Sequence, residues 1–148
     1  MKEYILAPSL FSSKISRLEK TLNFLKMTGV KWLHVDVMDG CFVPDMASGP
    51  SIVKELKEVS NILLDVHLMI ETPEKMVPDF LKAGADSITY HAEATNNGMY
   101  IIQMVKEEKK KVGVAINPST PVSMIEPVSY THLRAHETRH DRTNSIRS

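Results

Sequence analysis

The sequence predicts an α/β fold: a parallel sheet of the TIM (β/α)8 barrel kind, of which the chain supplies about the first five βα units. Three observations lead there. Short β-branched, apolar runs recur about every 24 to 30 residues, each followed by a polar turn and a stretch of helical spacing. Neither GxGxxG nor GxxxxGK[ST] follows any of these runs, so the usual signature of an open nucleotide-binding sheet is missing. Polar residues gather at the C-terminal ends of the runs, where parallel α/β proteins place their active sites. Five strands fall short of the eight that close a barrel, and 148 residues fall below its usual minimum of about 200.

The expected strands are Tyr4 to Pro8, Trp32 to Val37, Ile62 to His67, Ser87 to His91 and Val112 to Ile116. A first helix carries Ile15, Leu18, Leu22 and Leu25 on one face, opened by Ser12 or Ser13 as a cap and closed by Gly29. A second spans Pro50 to Val59, with proline at a first-turn position and Ile52, Val53 and Leu56 as its apolar face. The third begins at Thr72-Pro73-Glu74 and ends at Gly84, and the fourth runs from about Met99 to Lys110. Inside the third, Pro78 would cost about 3 kcal/mol at an interior position, which predicts either a kink or a late start.

Lys plus Arg and Asp plus Glu both number 18, so net charge gives no long-range attraction to nucleic acid or anionic lipid, and neither is expected as a partner. No apolar run reaches the roughly 18 residues that span a bilayer. The opening MKEYILAPSLF is broken by Pro8 and Ser9 and has no small-residue cleavage site, so a signal peptide is rejected and a cytoplasmic location expected. The single cysteine, Cys41, fits a reducing compartment. Composition breaks near the C-terminus: up to Val128 the basic residues are 13 Lys and one Arg, and from Ser129 onward they are four Arg. Residues 1–127 are therefore expected to form the partial barrel. Residues 128–148, with only Leu133 and Ile146 as large aliphatics, are expected to be an unrelated tail, disordered or artefactual.

Strand parity places candidate chemistry. In His34-Val35-Asp36-Val37-Met38 and Asp65-Val66-His67-Leu68-Met69, a period of two puts His34, Asp36 and Met38 on one face and Asp65, His67 and Met69 on one face of the neighbour. Two imidazoles and a carboxylate converging at a barrel mouth suit one divalent ion, Zn²⁺, Fe²⁺, Mn²⁺ or Co²⁺, with a position left for a substrate oxygen. The alternative is that each histidine is a satisfied, half-buried strand residue. Spacing leaves both open.

HVDVMDGCFVP at residues 34–44, with APS at 7–9, DVHLM at 65–69, AGAD at 83–86, HAE at 91–93 and NPSTP at 117–121, resembles the ribulose-phosphate 3-epimerase family from Met1 to about Pro127. The resemblance implies a TIM barrel and a pentose phosphate pathway enzyme interconverting D-ribulose 5-phosphate and D-xylulose 5-phosphate. It further implies His34, Asp36 and His67 as metal ligands, Asp36 also as catalytic acid/base, and Ser9 and His67 as substrate contacts, with Met38 and Met69 capping the reacting carbons. The C3 proton is α to a carbonyl, and its removal gives an enediolate; inversion then needs a second acid on the opposite face. The family supplies that acid in a VDGG motif absent from these 148 residues, as are the glycine-rich phosphate-binding loops, so the chain as given is expected to be inactive. Two alternatives stand beside this reading: allulose-6-phosphate 3-epimerase, and a non-catalytic metal-binding or interaction fragment. Open sheet edges make self-association a further expectation.

Smaller signals have plain readings. Asp39-Gly40 is a turn after the second strand. His91 and Glu93 either support the site or form a hydrogen-bonded structural pair. Cys41 has no basic sequence neighbour to lower its pKa and is read as inert. Lys109-Lys110-Lys111 is a solvated helix end. His136-Glu137-Thr138-Arg139-His140 matches HExxH, with His132 one turn back, but it lacks an apolar face and a third ligand downstream, so it is read as a chance match.

Overall fold

The computed structural model describes residues 4–129, 136–137 and 145–147. In chain order the strands are β1 (Trp32–Asp39), β2 (Met46–Ala47), β3 (Leu63–Met69), β4 (Ser87–His91), β5 (Lys111–Ala115), β6 (His136–Glu137) and β7 (Ser145–Arg147). The helices are α1 (Leu18–Met27), α2 (Pro50–Val59), α3 (Val77–Ala83), α4 (Gly98–Glu107) and α5 (Glu126–Ser129). One sheet holds the strands in the order β2-β1-β3-β4-β5-β7-β6. β1, β3, β4 and β5 are mutually parallel, and Ser9 adds a fifth parallel position by a single bridge to His34. The sheet is open.

The first expected strand is the main correction. Tyr4 to Pro8 forms no ladder; its link to β1 is the Ser9–His34 bridge, with the His34 N–H donating to the Pro8 carbonyl at 2.9 Å. Pro8 has no N–H to give a ladder, and the segment has a strand neighbour on one side only. The first helix also differs. Its expected caps, Ser12 and Ser13, lie among two 3₁₀ turns, Leu10–Ser12 and Ile15–Arg17, and α1 begins only at Leu18. Ser9 is the residue that caps, accepting from Phe11 N. Gly29, at φ 74°, closes the helix as expected. α2 has the expected bounds. Pro78 falls in the first turn of α3, where its missing N–H breaks no helical bond, so the late start is realised.

Two buried faces of opposite chemistry result. On one, Leu33, Val35, Val37, Leu64, Val66, Leu68, Ile88 and Tyr90 belong to a core shared with Leu22 and Leu25 of α1, Val53 and Leu56 of α2, Phe80 of α3 and Ile101 and Val105 of α4. Each large side chain so buried contributes about 1.5–3 kcal/mol, which holds the helices to the sheet. The other parity carries His34, Asp36, Asp65, His67, Thr89 and His91, all buried as well. Lys111 Nζ of β5 lies 4.5 Å from the Trp32 ring centre of β1. Two strands intervene between them, which would put those strands about 14 Å apart in a flat sheet, so the long side chains meet across a curled, concave polar face.

β7 lies antiparallel on β5, with Val114 opposite Ile146 and Ala115 opposite Ser145, and β6 pairs with β7. The fifth strand's edge, expected to lie open, is thus covered at two positions. His136 and Glu137 lie in a strand, not the helix that HExxH chemistry requires, whereas His132 and His140 lie outside the described residues.

Candidate metal centre

β1 and β3 pair in register, with His34 opposite Asp65, Asp36 opposite His67 and Met38 opposite Met69, so the expected parity and pairing both hold. Asp36 is the hub. Its Oδ1 lies 3.0 Å from His34 Nε2 and 3.4 Å from His67 Nδ1, and its Oδ2 accepts from the Ser9 hydroxyl at 2.7 Å. Burial pushes the Asp36 pKa up, but hydrogen bonds from His34 and His67, the charge of His34 and the Ser9 hydroxyl outweigh it and hold the carboxyl well below the usual range. Asp36 is therefore an anion in a nearly dry setting.

His34, Asp36 and His67 each offer a ligand atom, and these atoms lie within 4.8 Å of one another. Donors bound to zinc at about 2.0–2.1 Å in a tetrahedron stand about 3.3 Å apart, close to the separations around Asp36 Oδ1. The donor set, two imidazole nitrogens and a carboxylate oxygen, fits a first-row divalent ion. The residues present fit the group.

The surrounding bonds show what the sequence did not. Asp65 shares the face, as expected, but its Oδ2 lies 2.8 Å from His34 Nδ1 and so grips the side of that ring turned away from Asp36. His67 Nε2 lies 2.9 Å from His91 Nε2, with the two rings stacked at 5.0 Å, and His91 Nδ1 lies 3.5 Å from Glu93 Oε2. Asp39 is more than a turn residue: its carboxylate accepts from Cys41 N, Phe42 N and, across the top of the sheet, Glu71 N at 2.7 Å. The loop it shapes brings Phe42 to 4.9 Å from His91. Parity placed Asp65 on this face without showing its bond to His34; nothing local marks Asp39 as a clamp between two loops. Met38 and Met69 sit side by side one step above the cluster, Met69 buried and Met38 half-buried. Cys41 is exposed.

A curled parallel sheet with a histidine–aspartate cluster at the C-terminal ends of its strands defines a protein of the (β/α) barrel class with a candidate divalent-metal site. Residues 5–133 match the profile described as the Ribulose-phosphate 3 epimerase family. The chain is 45% identical over 122 residues to ribulose-phosphate 3-epimerase of Bacillus subtilis (strain 168), covering 82% of this chain and 56% of that protein. It is 43% identical over 128 residues to the chloroplastic ribulose-5-phosphate-3-epimerase of Arabidopsis thaliana, covering 85% and 46%, and 38% identical over 129 residues to the Escherichia coli (strain K12) enzyme, covering 86% and 57%. The chain belongs to the ribulose-phosphate 3-epimerase family, whose fold is a TIM barrel. It spans about half the length of the curated relatives it matches.

Proposed function

We propose that this chain carries the metal-binding part and one acid/base carboxylate of a ribulose-phosphate 3-epimerase acting on D-ribulose 5-phosphate in the cytoplasm. The observation that carries the reading is the convergence of His34, His67 and Ser9 on the two oxygens of Asp36. His34, Asp36 and His67 would hold one divalent ion, Zn²⁺, Fe²⁺, Mn²⁺ or Co²⁺. That ion, when bound, supplies a fixed positive charge that offsets the negative charge developing on the substrate oxygen. Asp36, ionised at neutral pH, takes the proton from C3 on one face of the sugar. Ser9 fixes the plane of that carboxylate and stands where a substrate hydroxyl can replace one of its bonds. Met38 and Met69 give the reacting carbons an apolar cover that keeps water from the enediolate. Inversion requires a second acid on the opposite face. Asp65 does not qualify, because its carboxylate is engaged with His34 one step further from the mouth.

Titration of the full chain with Zn²⁺ or Co²⁺ tests the metal site. One equivalent is expected to bind the unmodified chain and His136→Ala, and Asp36→Asn and His67→Ala are expected to lose that binding. Retention in His67→Ala with loss in His136→Ala overturns the assignment. The 148-residue chain alone is expected to convert ribulose 5-phosphate far below an ordinary turnover number, because a missing general acid removes about 10²–10⁴-fold. A kcat on the order of 1–10³ s⁻¹ overturns the single-carboxylate reading.

A further inference from the structure

Asp39 ends β1, and the proposed function gives it no part. Its carboxylate works in two directions. Oδ1 accepts from Cys41 N at 2.8 Å and Phe42 N at 2.9 Å, within its own loop, and Oδ2 accepts from Glu71 N at 2.7 Å, in the loop after β3. Burial raises the Asp39 pKa, but these N–H bonds outweigh it, so the group is an anion at neutral pH and both oxygens accept. A turn of this kind needs one side-chain oxygen. The second oxygen is what joins the loops.

Each end of that clamp holds something at the mouth of the site. Met38, one residue before Asp39, stands opposite Met69, two residues before Glu71, so the bond closes the two strand ends just beyond the methionine pair. On the side of Oδ1, the turn carries Phe42 to 4.9 Å from His91 at an angle of 50°, and His91 in turn stacks on His67. Phe42 is half-buried and His91 is 1% exposed, so the phenyl ring packs between solvent and the imidazole pair.

The loop after β3 does not hold its shape unaided. Thr72 has φ 51° and ψ 55°, a left-handed conformation that is unfavourable for a β-branched residue and persists only where the surroundings impose it. Its own N–H donates to Ala94 O at 3.3 Å, and the N–H just before it is the one that Asp39 takes. Asp39 and Ala94 therefore oppose its relaxation from either side.

We propose that Asp39 is a positioning residue: by pinning the loop after β1 to the loop after β3, it holds Phe42, Met38 and Met69 as one apolar cover over the cluster. The task of that cover, keeping water from the reacting carbons, rests on the epimerase reading above. Its geometry does not.

The full chain, without metal or substrate, serves for the test. Asp39→Asn keeps the side chain's shape and one acceptor oxygen. That oxygen is expected to stay with Cys41 and Phe42, where it makes two bonds, which turns the amide nitrogen toward Glu71 N and breaks the bridge. Amide hydrogen exchange at Glu71 is expected to quicken by about 10–100-fold, with Val66 and Leu68 of β3 unchanged. In NMR spectra, the His91 ring protons are expected to lose part of the ring-current shift given by Phe42, whose full size Phe42→Leu defines, and the Met38 and Met69 methyl signals are expected to move. Faster exchange at Glu71 with His91 and the methionines unmoved would show that the bond serves the loop alone, and overturns the proposal. An unchanged Glu71 rate overturns it too. Should Asp39→Asn not fold, the other two chains decide: a Glu71 amide in the unmodified chain that exchanges as fast as in an unstructured peptide, or His91 protons that Phe42→Leu leaves in place, refutes the clamp. Zn²⁺ failing to bind would count against the metal reading alone, because none of these signals depends on a metal.

Discussion

Gly113 of β5 stands opposite Thr89 of β4, and a Cβ placed on it would lie 2.7 Å from Thr89 Oγ1. Thr89 is fully buried and its hydroxyl has no hydrogen-bond partner among the described residues, so the side chain has no open space into which to retreat. Two effects oppose each other in Gly113→Ala. Alanine in a strand gains about 0.5–1 kcal/mol over glycine, whereas overpacking a closed site costs about 1–3 kcal/mol. The contact wins: urea unfolding is expected to show a net loss of about 1–2 kcal/mol. Thr89→Ala removes the atom that clashes, so a double-mutant cycle is expected to return most of that loss, and additive effects would refute the contact.

At the scale of elements, α2, β3 and the turn between α4 and β5 are tied together by Asp86, which lies just before β4. Its carboxylate takes Lys57 Nζ at 2.8 Å, Lys110 Nζ at 3.1 Å and the backbone N–H of Leu64 at 3.0 Å. Burial raises the Asp86 pKa, but Lys57, the Leu64 N–H and Lys110 outweigh it and set it below the ordinary aspartate value of 3.8. A carboxyl with a depressed folded pKa stabilises fully above its unfolded value and loses that contribution as pH falls through the folded one. Asp86→Asn is therefore expected to cost about 1–3 kcal/mol at pH 7. The gap from the unmodified chain should narrow only below the unfolded value of 3.8. A pH-independent difference across the acid range would show that the charge of Asp86 is not what matters. Pro78 illustrates the same scale from another side: its place in the first turn of α3 makes it compatible with a seven-residue helix that Gly84 ends at φ 106°.

The whole molecule is defined by its two sheet edges. On the β5 side, β7 pairs with Val114 and Ala115. On the other, Tyr4, Ile5 and Leu6 are 90%, 46% and 70% exposed, uncharged, and outside any ladder. Natural edges are guarded by charge, bulges or cover; on this side β2 covers β1 at Met38 and Asp39, and among the described residues of the Tyr4 to Pro8 segment Pro8 is the one such guard. In a closed barrel such a segment has neighbours on both sides. The 148-residue chain is expected to self-associate through this edge, giving light-scattering masses above 16.7 kDa that rise with concentration, and Ile5→Lys is expected to shift it toward monomer. A sharp monomer peak for the unmodified chain would show that the edge is guarded in some other way.

Periodicity determined the parity that gathers His34, Asp36, Met38, Asp65, His67 and Met69, because burial of one face imposes a spacing that a single segment records, and with the β-branched runs, turn residues and Pro50 it determined the alternation of strands and helices and the bounds of α2. The motif set from APS to NPSTP pointed to the family that the comparisons show. Tertiary structure decided the rest. The Tyr4 to Pro8 run has strand composition but no ladder, since a ladder needs a neighbour whose backbone offers groups to pair, and Pro8 returns one fewer. Ser9 is both a helical-turn cap and a donor to Asp36, a pairing across 27 positions that no local pattern encodes. The bonds from Asp65 to His34, from His91 to His67 and from Asp39 to the Glu71 backbone are likewise set by which strands and loops become neighbours. Residue types specify which bonds a side chain can make, and only the curl and register of the sheet bring the partners within 3 Å.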